Sequence, residues 1–150
     1  MKRNWHYLLF FIFSCSSEVD YKYMHGFEQY LKDVHQTSME DVQDNVFYII
    51  PLNGCEFCAV ENMRSILTLT DQKIIPILVG IENSIQVEKF KAQILEQRKI
   101  VLTDESSLVS KYETGFFKPI VVHIRQGKLV YYQYITDDLI SDVHNYLIEE

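Results

Sequence analysis

Read for the spacing of apolar and polar positions, the chain opens on an unbroken apolar run, Tyr7 to Phe13, and then turns polar. Phe27, Tyr30, Leu31 and Val34 recur at i, i+3, i+4 and i+7, which predicts an amphipathic helix over Gly26 to Gln36, ended by the polar run through Asp41. Val46 to Ile50 is apolar throughout, as expected of a strand buried on both faces of a central sheet. A helix follows from Glu56 to about Leu69, with Val60, Met63, Ile66 and Leu67 inward and Asn53 or Gly54 as its cap. Lys73 to Ile81 is a second buried strand; Pro76 inside it calls for an edge position or a bulge, because proline cannot donate to the ladder. Ser84 to Arg98 is helical by pattern, with Ile85, Phe90, Ile94 and Leu95 as the apolar stripe and Lys89, Lys91, Glu96 and Arg98 solvated.

Ile100 to Leu102 reads as a short strand and Ser107 to Tyr112 as a helical turn or two, ended near Gly115. Ile120 to Ile124 is another strand, Gln126-Gly127 a turn, and Leu129 to Tyr134 its hairpin partner. Asp137 or Asp138 caps a last helix with Leu139, Ile140, Val143, Tyr146 and Leu147 on its buried face. Strands alternating with helices, then a hairpin and a final helix, predict an α/β sandwich around a mixed sheet. The expected organisation is a leader over 1–15, a tether with an N-terminal helix over 16–44, and one domain over 45–150.

Composition sharpens this picture in two ways. With 10 Tyr and 9 Phe in 150 residues the chain can build a real core, and its net charge of −7 argues against nucleic acid as a partner. No internal repeat or low-complexity tract interrupts it.

The chemistry concentrates at Val46 to Met63. A buried strand, a short break at Pro51-Leu52-Asn53-Gly54, the motif Cys55-Glu56-Phe57-Cys58 and a helix form the arrangement of a redox dithiol. At a helix N-terminus, unpaired N–H groups and the helix dipole favour a thiolate on Cys55. Cys58 lies one turn on, placed to resolve a mixed disulfide.

Residues 1–17 are a different object. Lys2 and Arg3 precede an apolar run too short to span a bilayer as a helix, and Ser14-Cys15-Ser16-Ser17 follows. The stretch resembles a bacterial lipoprotein signal peptide, with Ile12-Phe13-Ser14-Cys15 as a loose lipobox. The resemblance implies cleavage before Cys15 and a lipid on its sulfur; the alternative is an ordinary signal or membrane-associated N-terminus that contains a cysteine. Lipidation would remove the odd cysteine of three and leave the C-x-x-C pair. It would also leave a body of net charge −9, since Lys2 and Arg3 go with the leader.

From Asn45 onward the chain resembles the thioredoxin fold and, more narrowly, is similar to the TlpA/ResA-like family of exported, often membrane-tethered thiol–disulfide oxidoreductases. The strand–loop–C-x-x-C–helix carries the resemblance. So does the additional helix between Ile81 and Lys99, a mark of the TlpA and peroxiredoxin branch. The third feature is Tyr112-Glu113-Thr114-Gly115-Phe116-Phe117-Lys118-Pro119, which runs into a strand and a hairpin. The resemblance implies that Cys55 attacks and Cys58 resolves. It implies that Pro119 matches a cis-proline facing the dithiol, and that the backbone before it, at Lys118, pairs with a bound substrate strand. No cofactor is implied. The expected partners are disulfide-containing envelope proteins, a membrane or periplasmic donor of reducing equivalents, and a membrane reached through the lipid. The expected place is the periplasmic side of a bacterial envelope. Lys118 itself is either a solvated lysine or a cation favouring thiolate and acidic partners.

The chain departs from the family at several positions. Gly54 stands where a tryptophan is usual, and Glu56-Phe57 replaces Gly-Pro between the cysteines. Glu56 opposes thiolate formation while the helix N-terminus favours it. Ile49 stands where thioredoxin has a buried acid, and Glu61 is the candidate substitute.

Other chemistries fit less well. Structural zinc needs four ligands, and there is one C-x-x-C with scattered histidines. Copper binding would call on His123 as a third ligand, against the commoner fate of a satisfied sheet residue. A peroxiredoxin needs a Thr-x-x-Cys pattern, but Leu52 stands three before Cys55. A purely structural Cys55–Cys58 bridge closes too small a loop to stabilise much. A binding or adaptor module without turnover is the alternative to the enzyme, and its mark would be a pair too buried or too resistant to react.

Overall fold

The apolar run ahead of the cysteines is the middle strand of a five-stranded sheet. The computed structural model describes residues 19–149, so the expected leader and the lipid site at Cys15 lie outside the described residues. The elements run α1 (Met24–His35), a 3-10 turn (Met39–Asp41), β1 (Asp44–Pro51), α2 (Glu56–Thr68), β2 (Ile74–Val79), α3 (Ile85–Gln97) and β3 (Leu102–Asp104). A second 3-10 turn (Leu108–Lys111), β4 (Ile120–Arg125), β5 (Lys128–Tyr134) and α4 (Ile140–Glu149) complete the chain. The sheet order is β3-β2-β1-β4-β5; β1, β2 and β3 are parallel neighbours, and β4 and β5 run antiparallel to their partners.

Strand alternation sorts the core onto two faces. From β1, Val46, Tyr48 and Ile50 pack with Val60, Met63 and Ile66 of α2, Val87 and Ile94 of α3, and Val143 and Leu147 of α4. Phe47 and Ile49 point the other way, to Phe27, Tyr30 and Leu31 of α1 and to Val109 and Phe116. At Gly26, α1 touches the loop before β4, where a Cβ would overlap the Glu113 carbonyl.

Pro76 is explained by register. Val46 N–H donates to the Lys73 carbonyl and Leu52 N–H to that of Val79, so odd-numbered residues of β2 face β1 and Pro76 faces the other way. On that side β3 begins only at Leu102, opposite Ile77. The missing N–H therefore falls at a local edge, as the sequence required.

Four expectations are corrected. Arg98 is 6% exposed rather than solvated: its guanidinium donates to the carbonyls of Ile66, Leu69 and Asp71, closing the C-terminus of α2. The stripe of α3 is Val87, Phe90 and Ile94, while Ile85 is 88% exposed because it follows directly on Ser84, the N-cap, in the first turn. The last helix starts at Ile140, beyond Asp137 and Asp138, and Asp138 accepts a hydrogen bond from Thr136 Oγ1 instead (2.5 Å). The short strand near Leu102 falls two residues later than its apolar run, at Leu102–Asp104.

Candidate active site

The loop after β1 delivers Cys55 to the start of α2, and Cys55 itself is the N-cap. Its Sγ accepts a hydrogen bond from Cys58 N–H at 3.1 Å, a place expected of Asn53 or Gly54. Asn53 is occupied elsewhere: its Oδ1 accepts from Ile81 N–H (3.1 Å) and its Nδ2 donates to Ser107 Oγ (3.3 Å). It fits against Gly80, whose φ of +90° and lack of a Cβ leave room for the amide. The loop is thus tied to the ends of β2 and β3.

Cys55 and Cys58 form a disulfide (S–S 2.07 Å), with Cys55 exposed and Cys58 half-buried. Burial was one mark of the adaptor reading, and Cys55 is open to solvent. Glu56 is turned toward α3, where its carboxylate accepts a hydrogen bond from the Ser84 hydroxyl.

Across from the disulfide, the segment before β4 supplies Phe117, Lys118 and Pro119 to the same cleft of about 760 Å³, with Ile140 from α4. Four candidate residues, Cys55, Cys58, Lys118 and Pro119, therefore line one space. The peptide bond before Pro119 is trans, where the resemblance implied cis. The approach to it is set by Gly115 at φ +67° and by two tyrosines: Tyr21 OH donates to the Thr114 carbonyl (2.5 Å) and Tyr134 OH to that of Gly115 (3.1 Å). Phe57 and Phe117 flank the cleft at 69% and 67% exposure, and Phe117 stacks on Tyr134.

Glu61, the candidate for the missing acid, lines the cleft and is bound to Arg64 Nη1 at 2.6 Å. The buried polar groups beneath the pair are Tyr48 and Asn62 instead. Tyr48 OH donates to Asn62 Oδ1 (2.8 Å), and Asn62 Nδ2 donates to the Cys58 carbonyl (2.7 Å). Burial pushes the Tyr48 hydroxyl well above its ordinary range, so it stays protonated. Sequence reasoning passed over both residues. The available signal was Asn62 standing four after Cys58, inside the apolar stripe of α2.

His123 is not near this site. It lies four residues beyond Pro119, about 13 Å along the strand, fully buried, with Nε2 on Asp44 Oδ1 (2.6 Å) and Nδ1 on Tyr146 OH (2.5 Å). Both ring nitrogens are engaged, which is the satisfied sheet histidine rather than a ligand.

The sheet order, the disulfide at the start of the helix after the central strand, and a proline facing it together define a thioredoxin-like fold. The additional helix α3 stands between β2 and β3. No family model and no curated protein matches the chain. Among solved structures, it is similar to a secreted disulfide oxidoreductase of Mycobacterium tuberculosis, at 13% identity and a TM-score of 0.45 over 71% of this chain and 84% of that one. It is also similar to a candidate thioredoxin of Neisseria meningitidis (14%, TM-score 0.43, 75% and 79%) and a peroxiredoxin-like protein of Aquifex aeolicus (14%, TM-score 0.37, 71% and 73%).

Proposed function

We propose that the protein is a thiol–disulfide oxidoreductase of the TlpA/ResA-like kind that reduces protein disulfides. The observation that carries this reading is the Cys55–Cys58 disulfide with Cys55 exposed at the N-cap of α2, facing Pro119 across an apolar cleft. In the reduced state the Cys55 thiolate attacks a substrate sulfur, forming a mixed disulfide and releasing one substrate thiolate. The Cys58 thiolate then attacks Cys55 Sγ, which releases the second substrate thiolate and restores the Cys55–Cys58 bridge. Two electrons pass to the substrate, and a dithiol donor of reducing equivalents must return them. The Cys58 N–H on Cys55 Sγ and the helix dipole favour the attacking thiolate.

Lys118 makes no main-chain hydrogen bond among the described residues, which leaves its backbone to pair with a substrate strand beside Pro119. Phe57 and Phe117 supply apolar contact for polypeptide on either side. The reading includes a leader over 1–15, lipid on Cys15, and action on the periplasmic side of a bacterial envelope upon disulfide-containing proteins there. The layout of residues 1–17 supports it. The test is a redox titration against glutathione on protein lacking residues 1–15, with alkylation and mass measurement. A reversible two-electron transition is expected, and a pair that does not exchange would overturn the reading. Growth with a labelled fatty acid tests the anchor: label on the native chain and none on Cys15→Ala is expected.

A further inference from the structure

Beneath the disulfide lie two buried polar side chains that take no part in the exchange itself. Asn62 is 5% exposed and Tyr48 1% exposed. Their orientation is forced by donor and acceptor chemistry. The Cys58 carbonyl can only accept, so the Asn62 atom facing it is the amide nitrogen. Asn62 Oδ1 then faces Tyr48, whose hydroxyl must donate. On the far side of Cys58, its N–H donates to Cys55 Sγ. The contacts run Tyr48 hydroxyl, Asn62 amide, Cys58 main chain, Cys55 sulfur.

We propose that Asn62, locked by Tyr48, is a positioning residue for the cysteine pair: it pins the Cys58 main chain so that its N–H stays on the Cys55 sulfur. The proposal rests on the oxidoreductase reading above. It assigns the place beneath the dithiol to a neutral pair; Ile49, the position expected to hold an acid, is turned to the opposite face of β1. A hydrogen bond to a thiolate is stronger than one to a neutral sulfur, so fixing this donor favours the reduced, ionised form.

The test uses the full chain carrying Cys15→Ser. Thiolate absorbance gives the ionisation of Cys55 across pH, and glutathione buffers give the redox equilibrium. Tyr48→Phe and Asn62→Leu should each raise the pH at which Cys55 ionises. Each should also shift the equilibrium toward the disulfide by about fivefold, on the scale of a weakened charged hydrogen bond. The double variant should shift it no further, because both act through one chain of contacts. Asn62→Asp is the sharper probe. Its carboxyl can donate to the Cys58 carbonyl only while protonated, so it should match the unsubstituted protein at low pH and depart from it once ionised. The charged groups lining the cleft, Glu61, Lys118 and Asp137, are the same in every variant.

If Tyr48→Phe and Asn62→Asp fold, by circular dichroism, and leave ionisation and potential unmoved at all pH values, the positioning role is overturned while the oxidoreductase reading stands. If the unsubstituted pair itself fails to exchange, both fall.

Discussion

The two ends of the β1–β4 pair carry the chain's most chemically capable side chains and treat them in opposite ways. At one end His123 is fully buried, with each ring nitrogen engaged by Asp44 or Tyr146, and Asp44 also meets Arg125 and Lys73. At the other, Cys55 is exposed and flanked by two solvent-facing phenylalanines. A reactive residue type does not make a site. What separates the ends is whether the reactive atoms are used up inside the fold or left facing a space a partner can enter.

Substitutions at each end test this contrast. The largest effect is expected from Cys55→Ser, which should abolish disulfide exchange, while Cys58→Ser should accumulate a mixed disulfide visible by mass. Neither should alter the cooperativity of unfolding. His123→Ala should act the other way. It removes the hydrogen bonds that the buried ring makes to Asp44 and to the half-buried Tyr146 and opens a cavity, costing about 2–4 kcal/mol in denaturant unfolding with the redox potential unchanged. A shift in potential would mean that the two ends communicate.

Smaller effects should follow at the surface of the cleft. Phe57→Ser and Phe117→Ser should slow reduction of an unfolded protein disulfide by about tenfold, on the scale of one lost apolar contact of 1–2 kcal/mol. Exchange with a small dithiol should stay the same, and equal slowing of both would place these rings in the chemistry rather than in docking. The smallest effect belongs to Asp44. The hydrogen bond from His123, helped by Arg125 and Lys73, holds its carboxyl below the ordinary value of 3.8. A lowered carboxyl pKa contributes stability that is present above that ordinary value and is lost as pH falls through the folded one. Asp44→Asn should therefore flatten the acid limb of the stability curve below about pH 4, slightly, since the side chain is 41% exposed.

The sequence was legible where one element's pattern decided the outcome. Val46 to Ile50, the helix from Glu56 and the hairpin at Gln126-Gly127 are strong local signals, and the structure places all three as expected. It was illegible where a distant partner decided. Arg98 reads as a surface cation until the open carbonyls at the end of α2, some thirty positions back, claim it. Asn53 reads as a cap until Ile81 and Ser107 take its amide. Tyr48 reads as bulk within an apolar strand, because nothing local reveals that its hydroxyl meets Asn62. The cysteine pair was legible from spacing alone. That Lys118 and Pro119 share its cleft came from the family resemblance, since only the fold brings them within reach; Phe117 joins them in the structure.

The segment between β2 and β3 grips α2 at both ends. Ser84 holds Glu56 in its first turn, and Arg98 closes its last carbonyls. A helix clasped in this way cannot fray from one tip without breaking a contact to its neighbour. In hydrogen-exchange terms, α2 and α3 should open as a single foldon, with matching protection, rather than as a reactive helix on a separate insert. The mobility that a partner disulfide meets at Cys55 is then set by a segment that never touches the sulfur.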